Sequence, residues 1–390
     1  MDYRFGPQSE ALREEVRAFL KQELNEDNEQ GEEAGSDDEY RYQRAFQKKL
    51  AAKGWLVPHW PSQYGGSDMG VMDQVVMKEE MAYHRAPLSD IFGINMLGPV
   101  LMMYGTEDQK REHLPGIAAA EIMWSQGYSE PGAGSDLASL QTRAVRDGDD
   151  YVINGQKIWN SNAHRSDWMF LLARTDPEAP KHKGISFFLT PTSAPGFSTR
   201  PLVNMAGLHQ FNETYFEDLR IPARNIVGDV NRGWYVGAAL LDFERSGIGS
   251  SATARRSLDD LIGYVREQPV NGARAQRSTV RHALAELVIE SEVGRYLSYR
   301  VASMQAKGEV PNAESSMAKV YLSELGHRVC NAGVKVLGLY GPLGPESRRS
   351  QLKGGFGMNY LVSLGGLIAG GTSEIQRNII AQRGLGLQRG

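Results

Sequence analysis

The sequence predicts an α+β chain in three successive parts. These are an N-terminal helical domain over 1–123, a middle antiparallel β-domain over 124–230 and a C-terminal four-helix bundle over 231–390. Three observations predict it. Apolar residues recur at a helical period from residue 9 to about 104. Near residue 124 the texture changes to short β-branched and aromatic runs separated by Asp-Gly and Asn-Gly turns. From Gly233 onward long helical segments return, and four of them joined by loops make a bundle.

The elements follow in order. Leu12, Val16, Phe19, Leu20 and Leu24 share one face of a helix over 9–24. An acidic stretch from Asn25 to Glu39, with eight Asp and Glu, reads as a solvated loop. Helical spacing resumes over 40–53, is broken by Pro58, Pro61, Gly65 and Gly66, and returns over 70–84 and 94–104. Asp147-Gly148 and Asn154-Gly155 are turn signals. Strands are expected at Tyr151 to Ile153, Trp168 to Ala173, Ile185 to Leu189 and Tyr215 to Ile221. The bundle helices are expected at about 233–267, 277–306, 313–338 and 371–383.

Composition excludes several functions. With 390 residues the chain can bury a large core. Its 43 Lys and Arg against 47 Asp and Glu give a net charge of −4, so there is no basic footprint for nucleic acid. Cys330 stands alone, which excludes an intrachain disulfide and a Cys-based zinc site. The eight His are scattered without ligand spacing, so no metal is expected. No apolar run is long enough to span a bilayer and the N-terminus has no signal-like apolar segment; the reading is a cytoplasmic protein. Gly132-Ala133-Gly134 lacks the third Gly and the βαβ setting of a dinucleotide site. No nucleophile elbow or P-loop is present.

Two distant segments carry the chemistry. Tyr128-Ser129-Glu130-Pro131-Gly132-Ala133-Gly134-Ser135-Asp136 resembles the flavin- and thioester-contacting loop of the acyl-CoA dehydrogenase family. Gly370-Gly371-Thr372-Ser373-Glu374-Ile375-Gln376-Arg377 resembles that family's C-terminal flavin-binding turn. Asn154-Gly155-Gln156-Lys157-Ile158-Trp159-Asn160-Ser161-Asn162 between them is similar as well, and the likeness runs through essentially the whole chain. The resemblance implies FAD as cofactor, an acyl-CoA substrate, electron-transfer flavoprotein as electron acceptor and a homotetramer. For the cofactor it implies the Tyr128 backbone, Ser129, Trp159 and Ser161 at the flavin ring, with Lys335, Gly338, Thr372 and Glu374 at the other end. For the substrate it implies Ser135, Leu97, Asp242, Arg245, Gly370 and Gly371. Lys335 and Leu339 depart from the family's adenosine-contacting stretch, and its Arg-x-x-Phe is missing between Glu267 and Arg277.

The base is displaced. Where many members hold their catalytic Glu, this chain has Gly370. Asp242-Phe243-Glu244-Arg245 resembles the Glu-Arg pair of the isovaleryl and long-chain branches, which makes Glu244 the expected base. On a continuous helix its neighbours are Gly237, Leu240, Leu241, Gly247 and Ile248. Such apolar surroundings disfavour the charged form and lift a carboxyl group toward the operating pH. Gly247, Gly249 and Gly370 suggest a wide acyl pocket for a branched, long or polycyclic group, and Phe211 to Pro222 resembles bacterial sterol side-chain dehydrogenases. The expected reaction is α,β-dehydrogenation to a trans-2-enoyl-CoA. The alternatives are a non-catalytic or half-site subunit of a heteromeric dehydrogenase, and a related flavoenzyme acting on carrier-protein thioesters or using oxygen.

Overall fold

The computed structural model describes residues 5–24, 35–88, 92–240, 247–267 and 278–388. Among them the chain forms helices α1 (Pro7–Glu23), α2 (Asp37–Ala52), α3 (Val71–Tyr83), α4 (Gly98–Tyr104), α5 (Glu107–Ala118), α6 (Gly233–Leu240), α7 (Ile248–Glu267), α8 (Ser278–Ala306), α9 (Asn312–Leu337), α10 (Gly355–Gly366) and α11 (Ser373–Ile379). Its strands are β1 (Trp124–Gly127), β2 (Arg143–Asp147), β3 (Asp150–Lys157), β4 (Trp168–Arg174), β5 (Ile185–Pro191), β6 (Phe197–Leu202) and β7 (Phe211–Pro222). The sequence-predicted order of helical, β and helical parts is present.

Two compact units result, and the N-terminal helices are divided between them. One unit takes 5–24, 70–86 and 247–388 of the described residues. In it α7, α8 and α9 bury Leu258, Leu261, Val301, Ala318, Leu325 and Val329. A buried charge cluster ties α1 and α3 to α8. Arg13 donates to Glu79 at 2.9 Å and to Glu80 at 2.7 Å, while Arg295 and the Tyr299 hydroxyl donate to Glu79 at 2.7 and 2.9 Å. Helix α10 was not expected, since its ends are rich in Gly. Packing decides it: Phe356 of α10 lies so close over Gly333 of α9 that a Cβ there would stand 2.0 Å from the ring.

The second unit takes 35–69, 87–88 and 92–240 of the described residues. Part of the expected acidic loop is helix. Ser36 caps α2 and accepts from Glu39 N–H, so Asp37, Asp38 and Glu39 lie at the positive end of the helix dipole. Residues 25–34 of that stretch lie outside the described residues. Helix α5 was missed, although Thr106 and Gln109 form a complete capping box at its start. The expected 94–104 helix is one π-helical turn, Phe92–Leu97, leading into α4.

The sheet is mixed rather than purely antiparallel. Its order is β1-β4-β2-β3-β7-β6, with β5 paired to β4. The β1–β4 and β2–β4 pairs are parallel; the others are antiparallel. Buried Ile153, Met169, Leu171, Phe188, Leu219 and Ile221 form its core. Between Ile153 and Gly155 the β3–β7 register slips by a bulge. The extra residue lies in β7, and the candidate site grows from the end of β3.

Candidate active site

In the second unit, the ends of β1 and β3 bring Tyr128, Ser129, Trp159 and Ser161 together. Ile158 N–H donates to Ser129 O at 2.9 Å, which sets Trp159 beside the 128–136 loop. Trp159 then adopts a left-handed backbone, φ 62°. Its ring is 56 % exposed, edge-on to Phe211 at 6.0 Å. A left-handed non-Gly residue costs about 1–2 kcal/mol, and an exposed Trp gains nothing from the core. Strain of this kind collects at functional sites. The next residue anchors the turn: Asn160 exchanges backbone bonds with Asn212 at 3.0 and 3.1 Å, and its side-chain amide donates to Gln126 O at 2.7 Å. Ser161 begins the turn that follows, and Ser135 is exposed on the loop. The Tyr128 ring is buried against Phe170 and Phe187, so only its backbone faces the loop.

Sequence reading missed a buried ion pair under this loop. Lys157 is 0 % exposed and donates from Nζ to Tyr128 O and to Glu130 Oε1, each at 2.9 Å. Glu130 also accepts from Gln141 N–H at 2.6 Å and Thr142 N–H at 2.9 Å. Burial pulls Lys157 below the usual lysine range, against the upward pull of Glu130. Burial raises Glu130, but the Lys157 charge and the N–H donors outweigh it and hold the carboxyl low. The pair is therefore ionised at neutral pH. A signal was available: strand alternation turns Tyr151 and Ile153 inward, and the same phase turns Lys157 inward.

Beside the turn, His164 and His209 stack at 4.0 Å. Asn212 bridges them, 3.0 Å from each ring. Burial, then His209, push His164 down to about 4.

The other unit carries the second group. Gly370 and Gly371 both turn left-handed, φ 66° and 89°. Gln376 clamps this turn by donating to Gly370 O at 2.9 Å. Thr372 caps α11 and accepts from Ile375 N–H at 3.2 Å. Glu374 is exposed; its own backbone N–H and the Thr372 hydroxyl hold its carboxyl below the usual range. A carboxylate there suits a sugar hydroxyl better than a phosphate. Lys335 is exposed in the last turn of α9, and Gly338 ends that helix with φ 61°.

Glu244, Asp242 and Arg245 lie outside the described residues. Three expectations need correction. The helix over 233–267 is not continuous: Gly247 is left-handed, φ 69°, before α7 begins at Ile248. Gly247 therefore does not widen a pocket; a Cβ on it would stand 2.7 Å from Leu322 Cδ1, so it is small because α9 is close. Nor does Gly249, where a Cβ would make an ordinary 3.8 Å contact with Ala82. Leu97 is 0 % exposed and belongs to the core, not to a surface that a substrate can touch. Gly370 does leave space, with nothing within 4 Å of a Cβ built on it.

Among the described residues no helix is long and apolar enough to cross a membrane, and no cluster of side chains suits a metal ion. Three family models match in succession: the acyl-CoA dehydrogenase N-terminal domain over residues 6–121, the middle domain over 125–219 and the C-terminal domain over 231–385. The chain is 37 % identical to "Acyl-CoA dehydrogenase FadE26" of Mycobacterium tuberculosis, covering 99 % of this chain and 98 % of that one. It is similar to the solved ChsE4-ChsE5 complex of Mycobacterium tuberculosis, at 37 % identity and TM-score 0.91, with 100 % of both chains covered. It is also similar to the Tcur3481-Tcur3483 steroid ACAD, at 36 % identity and TM-score 0.90 over 100 % of both chains. This chain thus belongs to the acyl-CoA dehydrogenase family and is an oxidoreductase with FAD as its cofactor.

Proposed function

We propose that the chain removes the proton alpha to the thioester carbonyl of an acyl-CoA through Glu244, giving a trans-2-enoyl-CoA. The residues present fit FAD. Ser129 N–H has no acceptor among the described residues, and the Trp159 ring stands exposed on a strained residue beside it. In this reading the Tyr128–Ser129 backbone, Trp159 and Ser161 hold the ring, while Thr372, Glu374, Lys335 and Gly338 hold the other end. FAD, when bound, accepts the hydride from the beta carbon. Glu244 performs the proton half as a carboxylate base. Ser135, Asp242, Arg245, Gly370 and Gly371 line the acyl-CoA. The left-handed Gly370 backbone admits no carboxylate side chain without strain, which leaves the work to another residue.

The observation that carries this reading is the exposed, left-handed Trp159 held by the Asn160–Asn212 bridge. The acyl group is branched or polycyclic in this proposal. Space at Gly370 and the likeness to a protein described as a steroid ACAD support it. Electrons leave to electron-transfer flavoprotein. The test is a panel of acyl-CoA esters offered to the FAD-loaded protein with an artificial acceptor. Turnover of bulky esters supports the proposal; turnover confined to short straight chains contradicts the substrate class.

A second reading has its own support. Two of the similar structures carry paired chain names, ChsE4-ChsE5 and Tcur3481-Tcur3483. Leu339, just past α9, is 89 % exposed. The paired names favour a heteromer with a related subunit over the homotetramer, and the exposed Leu339 suits a subunit contact in either. FAD retained only after co-expression with such a partner would select the heteromer; a yellow homotetramer from the chain alone would exclude it.

A further inference from the structure

Beneath the 128–136 loop the chain buries a charged Lys157. Burying an ammonium is costly unless it is paired and hydrogen-bonded. Lys157 uses two of its three donors, one on Glu130 and one on the Tyr128 carbonyl. The second bond has a stereochemical consequence. In a trans peptide the C=O and the following N–H point in opposite directions. A Tyr128 carbonyl held on Lys157 therefore forces the Ser129 N–H to face away from the buried pair. That N–H has no acceptor among the described residues. The following peptide is fixed at both its polar groups: Ser129 O accepts from Ile158 N–H, and Glu130 N–H donates to Ala133 O at 3.0 Å. The loop thus offers an oriented, unused donor beside Trp159, backed by the buried Lys157–Glu130 pair.

We propose that Lys157 is a positioning residue for the flavin. By holding the Tyr128 carbonyl it aims the Ser129 N–H at a carbonyl oxygen of the flavin ring, and so favours the reduced flavin, which carries more negative charge at that edge. This rests on the placement of the flavin ring at Ser129 proposed above. Glu130 serves Lys157 by keeping the buried ammonium paired. Preorganised donors of this kind act where charge develops. A merely structural role for the pair would alter the binding of oxidised and reduced flavin alike. A positioning role alters their ratio, which is the reduction potential.

The test compares wild type with the Lys157→Met/Glu130→Gln double variant, which removes both charges and leaves no unpaired one. Fold is checked by circular dichroism, FAD affinity by fluorescence titration, and the midpoint potential by anaerobic dye equilibration. The expected result is a folded, yellow variant whose reduced flavin binds about tenfold more weakly relative to the oxidised form. That ratio lowers the two-electron potential by about 30 mV. An unchanged potential overturns the proposal, whether FAD affinity is kept or falls equally for both forms. A crystal structure of the FAD-loaded wild-type chain tests the geometry without any variant. Ser129 N–H within hydrogen-bond distance of a ring oxygen, with Lys157 on the Tyr128 carbonyl, is expected; an N–H aimed elsewhere overturns it. A ring bound away from Ser129 overturns the site assignment itself, and this inference falls with it.

Discussion

At position 247 two constraints coincide: a left-handed backbone and a Leu322 methyl 2.7 Å from where a Cβ would stand. Gly247→Ala should therefore destabilise the chain by about 2–3 kcal/mol, read from chemical denaturation, through strain plus overpacking. A loss under about 0.5 kcal/mol would show that the turn relaxes. His164 gives a pH prediction. Its folded value of about 4 lies below the ordinary 6.5. A depressed group contributes stability that is whole above its unfolded value and is lost as pH falls through the folded one. Stability should thus fall between pH 6.5 and 4, and His164→Phe should flatten the curve in that window; an unchanged slope would contradict the assignment. Sequence singles out Trp159, Ser129, Thr372 and Glu374 because each sits in a contiguous motif. Lys157 stayed hidden although it lies inside one, because its partners are a carbonyl and a carboxylate on another strand end. Leu97 and Gly247 were misread because only packing shows that one is enclosed and the other crowded.

Helices α1 and α3 depend on the charges that join them to α8. Burial raises Glu79, but Arg295 and Arg13 outweigh it and hold the carboxyl below its usual range. Its contribution is whole above the ordinary carboxylate range and is lost as pH falls below it, so acid should release α1 and α3 first. Arg13→Met leaves two buried carboxylates short of a partner and should cost about 3–5 kcal/mol in denaturant unfolding. A neutral result would show that water replaces the guanidinium. At the start of α5, Thr106→Ala removes half of a capping box and should cost about 1 kcal/mol. That helix was legible in principle, since Thr106 and Gln109 stand at capping-box spacing, but its interior holds Pro115 and few apolar residues. Helix α10 was not legible: its Gly residues oppose a helix, and Phe356 against Gly333 imposes one. The parallel β1–β4 pair was likewise out of reach, because local patterns do not state which distant strand lies alongside.

For the whole molecule, the three-part order was readable from hydrophobic period alone, and the family from two motifs and their separation. The division into two compact units was not, since α1 and α3 join the bundle only through long-range contacts. Helix α8 shows Ile289, Val293 and Tyr296 exposed at helical spacing, a stripe suited to another subunit. Native mass spectrometry of the chain alone should find four times its 43.1 kDa if it is a homotetramer, and a tetramer only with a co-expressed partner if it is a heteromer; a monomer in both samples would contradict both assemblies proposed here. That FAD and Glu244 together oxidise an acyl-CoA can be tested by mixing the FAD-loaded protein anaerobically with a bulky acyl-CoA and following the loss of yellow colour, for wild type and for Glu244→Gln. Wild type should bleach, and the variant should do so at a rate at least about a hundredfold lower at equal FAD content. A variant that bleaches as fast as wild type would contradict it.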